Sequence, residues 1–214
     1  CIIAADGQEI NYFDYSDDLA TSKKNNIYLG TVSRVEPSLQ AAFIEFGSEK
    51  KAFLPFDEIH PSYFKIPHNE KILKNGSQKN NEIDDEKENK KHFLSFYRKY
   101  KIQDVIKKDQ VLLIQIVKEE RGTKGAAVTT FISLPGRYSV LLPNNSSTGG
   151  VSKKISNPLD RKRLKRLHDN FNLPDGMSLI IRTNAISAED EDIIADFSYL
   201  RKLWTKIRED TLKS

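Results

Sequence analysis

Cysteine and long apolar runs are scarce in this sequence, and each scarcity excludes a class of protein. The 214 residues include a single cysteine, Cys1. One cysteine excludes a disulfide framework and a cysteine-rich zinc motif, so we expect a reducing, cytoplasmic compartment. No apolar run approaches the roughly 18 residues of a membrane span, so we expect no transmembrane segment, and no signal peptide is visible.

Catalytic side chains in a recognisable arrangement are also lacking. The histidines show no spacing typical of a metal site or of a nucleophile–base pair. They are His60, His68, His92 and His168. No glycine-rich phosphate loop is present. The formal net charge of +4 permits nucleic-acid binding without requiring it. The sequence therefore favours a binding region over a complete active site.

Five short strand-like segments indicate a small β-barrel. Three lie within residues 27–66 and two within residues 110–134. Gly30 lies inside the first segment, where a glycine is typical of a bulge or a bend at a barrel corner. Short strands with such a bend are typical of the OB barrel, which binds single-stranded nucleic acid through aromatic and basic side chains.

The predicted barrel follows a hairpin and contains a polar insertion. Two strand-like segments flank Asp6-Gly7 within residues 1–16, which is a strong hairpin signal. The insertion, about residues 67–109, has a central stretch that is almost devoid of apolar residues. We expect it to be partly disordered, because such a stretch cannot offset its ordering entropy. Its last part predicts a short helix or an extended arm. The chain starts at Cys1 and ends directly after a helical pattern, so we expect a fragment of a longer protein.

A small α/β unit follows the barrel, which makes the predicted fold class α+β. Asn157 and Pro158 are a typical helix start. Three leucines of this helix are expected to face inward: Leu159, Leu164 and Leu167. A second amphipathic helix is predicted over residues 188–212 from a stripe of apolar residues.

The barrel carries candidate contacts to nucleic acid. Phe53 and Phe56 lie three residues apart, so simple alternation cannot turn both to one side. At least one is expected to be exposed for base stacking, worth ~1–3 kcal/mol per base. The alternative for each phenylalanine is a core role, which we expect for Phe43 and Phe46. Lys124, in a turn flanked by glycines, contacts a phosphate or is an ordinary solvated lysine.

Two basic features of the second unit are candidate phosphate contacts. Arg182-Thr183 ends a buried strand. There the arginine is predicted either to bind a phosphate in bidentate fashion beside the threonine hydroxyl or to form a structural ion pair. Five basic residues of the first helix either follow a phosphate backbone or form a solvated surface. They are Arg161, Lys162, Arg163, Lys165 and Arg166.

Four segments, in order, closely resemble the ribonuclease E/G family and cover nearly the whole chain outside the insertion. They are residues 26–64, 118–145, 173–183 and 196–207. The first resembles the S1 RNA-binding domain of that family. The chain resembles the E branch more than the G branch, which stays an alternative, and the insertion resembles that of alphaproteobacterial members.

The resemblance implies a domain organisation. Residues 1–25 would be the first piece of an RNase H-like subdomain, which is incomplete here. Residues 26–134 would be an S1 domain with an OB-type barrel, and residues 135–214 a 5′-sensor region.

The resemblance also implies an activity. The family cuts single-stranded, A/U-rich RNA, prefers a 5′-monophosphorylated end, and acts in rRNA and tRNA processing and mRNA decay. A homo-oligomer is implied for the full-length protein, and a cytoplasmic location, with membrane association left open. The alternative is a non-catalytic module that binds single-stranded RNA.

Residue by residue, the resemblance assigns two sites. The RNA contacts would be Phe53, Phe64 and Lys124, with Tyr63 as the alternative to Phe64. The 5′-monophosphate pocket would use Gly136, Val140, Arg182 and Thr183. Mg²⁺ is implied for the full-length enzyme and Zn²⁺ for a link between protomers, and the ligands of both lie outside this chain. We therefore expect no catalytic or metal-binding residue here, and no cleavage by this chain alone.

Overall fold

The described fold begins with a two-stranded hairpin. The computed structural model describes residues 2–6, 9–14, 22–65, 97–145 and 149–213. Strands β1 (Ile2–Asp6) and β2 (Glu9–Asp14) pair antiparallel, with an irregularity in register between Ala4 and Ala5. The predicted hairpin is confirmed, although its turn lies outside the described residues.

A closed barrel of five strands follows, as predicted. Its strands are β3 (Ile27–Glu36), β4 (Ala41–Glu45), β5 (Ala52–Pro55), β6 (Val111–Lys118) and β7 (Ala127–Thr129). The order around the barrel is β3-β4-β5-β7-β6, and β3 pairs with β6 to close it. All neighbours are antiparallel except β5 and β7. Short 3₁₀ turns cover Pro37–Leu39, Phe56–Glu58 and Pro61–Tyr63.

Small and branched apolar side chains fill the barrel. Val32, Ile44, Leu54 and Ile114 are fully buried, and burying one such side chain stabilises the fold by about 1.5–3 kcal/mol. Gly30 does not mark the bulge in β3, which falls between Val32 and Arg34. A Cβ at Gly30 would lie 2.4 Å from Ile44 Cγ2, so this glycine makes room for interior packing.

The last part of the predicted insertion belongs to the barrel core. It forms a short helix, α1 (Ile102–Val105), and Ile102, Val105 and Ile106 are buried in the barrel's core cluster. The Tyr97 hydroxyl donates a hydrogen bond to the Ile59 carbonyl at 2.8 Å. Of the two alternatives for this stretch, the helix is therefore confirmed. The polar stretch of the insertion from Ser77 to His92, where we expect disorder, lies outside the described residues.

The fifth predicted strand is divided between two sheets. β7 ends at Thr129, and Leu134–Pro135 forms β8 in the second sheet. Two side-chain amides bond to the backbone where the strand breaks. Gln115 accepts from the Ser133 N–H and donates to the Ser133 carbonyl, both at 2.8 Å. Asn144 accepts from the Ile132 N–H at 3.0 Å.

The second unit is a four-stranded sheet with two helices, which completes the α+β fold. Its strands are β8, β9 (Ser139–Leu142), β10 (Gly150–Val151) and β11 (Ser178–Ile181), in the order β10-β11-β9-β8. Its helices are α2 (Pro158–Asp169) and α3 (Asp190–Lys213), and a 3₁₀ turn covers Thr183–Ser187. Leu141 and Leu179 cluster with Phe197 and Leu200 of α3.

The two helices start close to the predicted positions. The Asn157 side chain accepts from the Leu159 N–H at 2.9 Å, and Pro158 is the first residue of α2. Leu164 and Leu167 are buried, but Leu159 is 78% exposed, so its inward prediction was wrong. Leu159 lies five residues before Leu164, about 140° around the helix. The predicted stripe of α3 is confirmed by its buried residues, Ile193, Phe197 and Leu200.

Candidate nucleic-acid interface

A row of five residues crosses the outside of the barrel at one level. Successive members are direct partners across neighbouring strands. We call this set the outer row: Arg34, Phe43, Phe53, Ala127 and Lys118. Residues that are directly opposite in paired strands share a face of the sheet. The outer row therefore presents two rings and a small residue between two exposed cations.

The two rings of the outer row contact each other and a cation. The ring centroids of Phe43 and Phe53 are 6.0 Å apart with an interplanar angle of 68°. The Arg34 guanidinium lies 4.9 Å from the Phe43 centroid, within the range of a cation–π interaction. Arg34 also pairs with Glu36 at 3.7 Å. Outward-facing rings beside cations are the groups on which single-stranded nucleic acid stacks at OB surfaces.

The structure separates the barrel phenylalanines into outer and inner sets. Phe56 is only 7% exposed, whereas Phe53 is half-buried on the outside, so the prediction that this pair divides is confirmed. Phe46 packs against the core, as expected. The expectation of a core role for Phe43 was wrong, because its neighbours Ala42 and Ile44 face inward and strand alternation turns Phe43 outward.

Lys124 lies in a tight turn that we call the lysine turn, Arg121–Lys124. Two backbone hydrogen bonds join Arg121 and Lys124, and Gly122 has a φ of 56°. The Lys124 side chain is exposed, and no hydrogen bond or ion pair to it occurs within the described part of the chain. A Cβ at Gly125 would lie 1.9 Å from the Lys51 carbonyl oxygen. The backbone directly after the lysine turn therefore lies close to Lys51, the residue before β5, which is the strand of Phe53.

Phe64 and Tyr63 lie in a second aromatic group. The Phe64 ring is 5.6 Å from Phe56 and 6.1 Å from Tyr97. The Tyr63 hydroxyl accepts from the Leu113 N–H at 3.2 Å, and burial raises the pKa of Tyr63. Both residues are half-buried against the barrel core. Tyr63 thus has a structural role, and Phe64 is the better candidate of the two.

His60 is a structural residue beside this group. Its Nδ1 accepts from the Ser62 N–H at 3.1 Å and caps the following 3₁₀ turn. Its ring makes an edge contact with Phe131 at 5.3 Å. Burial lowers the pKa of His60 to about 4. The imidazole is therefore neutral near pH 7.

The predicted phosphate residues meet at one end of the second sheet. Arg182 Nη1 donates to the Gly136 carbonyl at 2.6 Å, and the Arg182 N–H donates to the Tyr138 carbonyl at 2.8 Å. Thr183 follows directly. Val140 is the partner of Ile180, two residues before Arg182. Strand alternation places Val140 and Ile180 on the sheet face opposite the buried Leu179.

The contact between Gly136 and Arg182 joins the Gly136 carbonyl to one guanidinium nitrogen. The Gly136 N–H donates to the Ser139 carbonyl at 2.8 Å, so it is engaged within its own loop, residues 136–139. The Gly136 carbonyl anchors one nitrogen of Arg182. The rest of this exposed guanidinium has no hydrogen-bond partner among the residues that the structure describes. Arg182 is thus anchored at one end and retains several donors.

The basic helix α2 is partly structural. Arg163 donates to the carbonyls of Ala185 and Ala188 and pairs with Asp190 at 2.6 Å. Arg161 donates to the carbonyls of Ser152 and Ile155. Only part of the helix, including the exposed Lys162 and Arg166, fits the alternative of a solvated basic surface.

The same described ranges contain neither a cluster of metal-ligating side chains nor a helix that could span a membrane. There, His, Cys, Asp and Glu side chains form no group of three or more that could hold a metal ion. None of the helices in these ranges combines the length and apolar character needed to cross a membrane.

The fold is an OB-type barrel followed by a small α/β unit, and the outer row is a candidate surface for nucleic acid. The model of the "Ribonuclease E/G family" matches residues 133–214. Over 97% of its length the chain is 38% identical to ribonuclease E of Escherichia coli (strain K12), of which it covers 17%. Over 99% it is 37% identical to ribonuclease E of Buchnera aphidicola subsp. Schizaphis graminum, of which it covers 19%.

Ribonuclease G of Salmonella typhimurium is similar as well, at 38% identity over 86% of this chain and 32% of that protein. The chain belongs to the ribonuclease E/G family. It spans about a fifth of the length of the ribonuclease E relatives named above.

Three residues at these sites were missed in the sequence. The positions of Arg34 and Lys118 in the outer row can be deduced from strand alternation only once the cross-strand register is known. Asp196 binds the 136–139 loop from helix α3. No local pattern marks Asp196, because its partners lie 57–59 residues away in the sequence.

Proposed function

We propose that this chain is the RNA-binding and 5′-end-sensing part of a single-strand-specific endoribonuclease. Its substrates are A/U-rich, 5′-monophosphorylated RNAs, and its roles are rRNA and tRNA processing and mRNA decay in the cytoplasm. Membership of the ribonuclease E/G family supports the endoribonuclease class. The outer row, with two outward-facing, half-buried rings next to a stacked arginine, is the observation that carries the RNA-binding part.

The outer row and the lysine turn grip single-stranded RNA. Phe53 stacks on a base, which contributes ~1–3 kcal/mol. Phe43, braced by Arg34, takes a neighbouring base or the sugar next to it. Lys118 and Lys124 neutralise phosphates, which makes binding sensitive to salt. Phe64 contacts the same strand from the second aromatic group.

Arg182 and Thr183 hold the 5′-monophosphate. A guanidinium fixed at one nitrogen loses less side-chain entropy when its other donors bind phosphate oxygens. The Thr183 hydroxyl supplies a further donor. Gly136 and Val140 shape the pocket, Gly136 by holding the arginine through its carbonyl. A terminal monophosphate carries more charge than an internal phosphodiester, and this favours the end of the RNA.

The hydrolytic centre lies outside this chain. The Mg²⁺ ligands, the Zn²⁺ link between protomers and the contacts of a homo-oligomer belong to other parts of the full-length protein. This chain binds and orients the RNA. Ribonuclease G is the alternative to ribonuclease E, and the similar identity to both supports keeping it.

A binding experiment with matched RNA ends tests the proposal. Two single-stranded A/U-rich oligonucleotides would differ only in a 5′-monophosphate or a 5′-hydroxyl, and binding would be followed by fluorescence anisotropy. The protein is expected to prefer the monophosphate, and Arg182→Ala to remove that preference. Arg201→Ala, which changes an exposed arginine of α3, is the matched control. Equal binding of both ends by the unmutated protein would refute the sensor assignment.

A cleavage assay separates the proposal from the alternative of a non-catalytic RNA-binding module. The chain alone, with Mg²⁺ and the same oligonucleotides, is expected to cut neither. The full-length protein is expected to cut the monophosphorylated RNA faster. Cleavage by the chain alone would contradict the placement of the catalytic centre. No cleavage by the full-length protein would favour the non-catalytic module.

A further inference from the structure

The carboxylate of Asp196 binds the 136–139 loop through four hydrogen bonds. Its Oδ1 accepts from the Arg137 N–H at 2.9 Å. Its Oδ2 accepts from the Tyr138 N–H at 3.2 Å, the Ser139 N–H at 2.9 Å and the Ser139 hydroxyl at 2.7 Å. Three consecutive backbone N–H groups thus converge on one anion, the arrangement by which a backbone nest binds a phosphate.

The loop has room for Asp196 only because residue 136 is glycine. A Cβ at Gly136 would lie 2.5 Å from each carboxylate oxygen of Asp196. Gly136 lacks the positive φ that would otherwise require a glycine. The close approach of Asp196 is therefore the physical reason for this glycine.

Asp196 and Arg182 bind the same loop through opposite backbone groups. Asp196 takes its N–H groups, and Arg182 donates to the Gly136 carbonyl at 2.6 Å. The Arg182 N–H also donates to the Tyr138 carbonyl at 2.8 Å. The carbonyl that anchors Arg182 is held in place by a loop whose N–H groups are bound to Asp196. An RNA phosphate cannot use these N–H groups while Asp196 occupies them.

We propose that Asp196 is a positioning residue for recognition of the 5′-phosphate. It fills the anion nest of the 136–139 loop and so fixes the carbonyl that aims Arg182 at the terminal phosphate. Asp196 does not touch the RNA. This inference rests on the proposed function of Arg182.

The test measures the affinity ratio between 5′-monophosphate and 5′-hydroxyl RNA. Asp196→Asn replaces one acceptor oxygen with an NH₂ group, which cannot accept from the loop. It is expected to lower the ratio about tenfold, because charge-assisted hydrogen bonds to the loop are lost. Affinity for 5′-hydroxyl RNA is expected to change less than about twofold, since Phe53 and Lys124 are unchanged. Asp192→Asn makes the same charge change at an exposed position of α3 and should leave the ratio intact.

A second variant covers the case in which Asp196→Asn does not fold. Ser139→Ala removes one of the four hydrogen bonds and is expected to lower the ratio about threefold. A purely structural role for Asp196 would lower the melting temperature and reduce both affinities equally, and that result overturns the inference. So does an unchanged ratio in folded Asp196→Asn, or in Ser139→Ala if the first variant is unfolded.

The outcomes for the two proposals are distinguishable. If the unmutated protein binds both RNA ends equally, the proposed sensor function fails, and the role of Asp196 fails with it. If the unmutated protein prefers the monophosphate and both variants retain the full preference, only the role of Asp196 fails.

Discussion

The outer row and the Arg182 site are held in place by different means. Phe43 and Phe53 lie on paired strands, and the register of the barrel alone sets them side by side. Arg182 depends on a loop carbonyl, and that loop depends in turn on Asp196 of a helix. A substitution at the row should therefore act locally, whereas the Arg182 site should respond to residues that do not touch RNA.

Gly125→Ala tests the barrel side of this comparison and is expected to cause the largest loss of stability. The new Cβ would lie 1.9 Å from the Lys51 carbonyl oxygen, which is backbone and cannot turn away. We expect a loss of about 3 kcal/mol or more in the free energy of unfolding. Urea denaturation followed by circular dichroism measures it.

Gly47→Ala is the matched control for Gly125→Ala. Gly47 has a φ of 86° but no atom within 4 Å of an added Cβ. Only backbone strain of roughly 1–2 kcal/mol is expected there. Equal losses for the two variants would show that the approach of Gly125 to the Lys51 carbonyl is not tight.

Acid should weaken the barrel in part through one partly buried group, His60. Burial lowers the pKa of His60 to about 4 from the ordinary 6.5. Between these values the unfolded chain binds a proton that the folded chain does not, so the free energy of unfolding falls as pH falls through this window. The contribution of His60 is at most about 3 kcal/mol. Denaturation at pH 7 and pH 4.5 tests it.

His60→Asn is the control for the acid effect. The asparagine oxygen can replace Nδ1 as the acceptor for the Ser62 N–H, and the amide does not titrate. This variant should lose less stability than the unmutated protein between pH 6.5 and pH 4.5. The same acid loss in both would mean that other groups cause it.

Much of the barrel could be predicted from local patterns, and the exceptions have physical reasons. Alternation identified the strands. Phe43 was wrongly predicted to face the core, because only the cross-strand register shows which residues of β4 face inward. Asn157 and Pro158 marked the start of α2 because a cap is a local interaction. Asp196 could not be predicted, since its partners come from a loop 57–59 residues earlier.

Phe53→Ala tests whether the outer row binds RNA independently of the Arg182 site, because it removes a single RNA contact. The loss of stacking should cost about 1–3 kcal/mol of binding free energy, equally for 5′-monophosphate and 5′-hydroxyl RNA. Phe53→Tyr, which keeps a stacking ring, is the control and should bind nearly as well. A changed ratio between the two RNA ends in Phe53→Ala would mean that the outer row and the Arg182 site are energetically coupled.

Lys124→Ala is expected to cause the smallest loss of RNA affinity, together with a change in the salt dependence of binding. An exposed lysine that contacts one phosphate releases about one counterion, so the slope of log K against log salt should fall by roughly 0.7 for single-stranded RNA. The anisotropy titration is repeated at several salt concentrations. Lys162→Ala, which removes an exposed lysine of α2, is the matched control. If Lys162→Ala lowers the slope as much as Lys124→Ala does, the RNA also contacts α2. The RNA-binding surface would then extend from the barrel to the second unit.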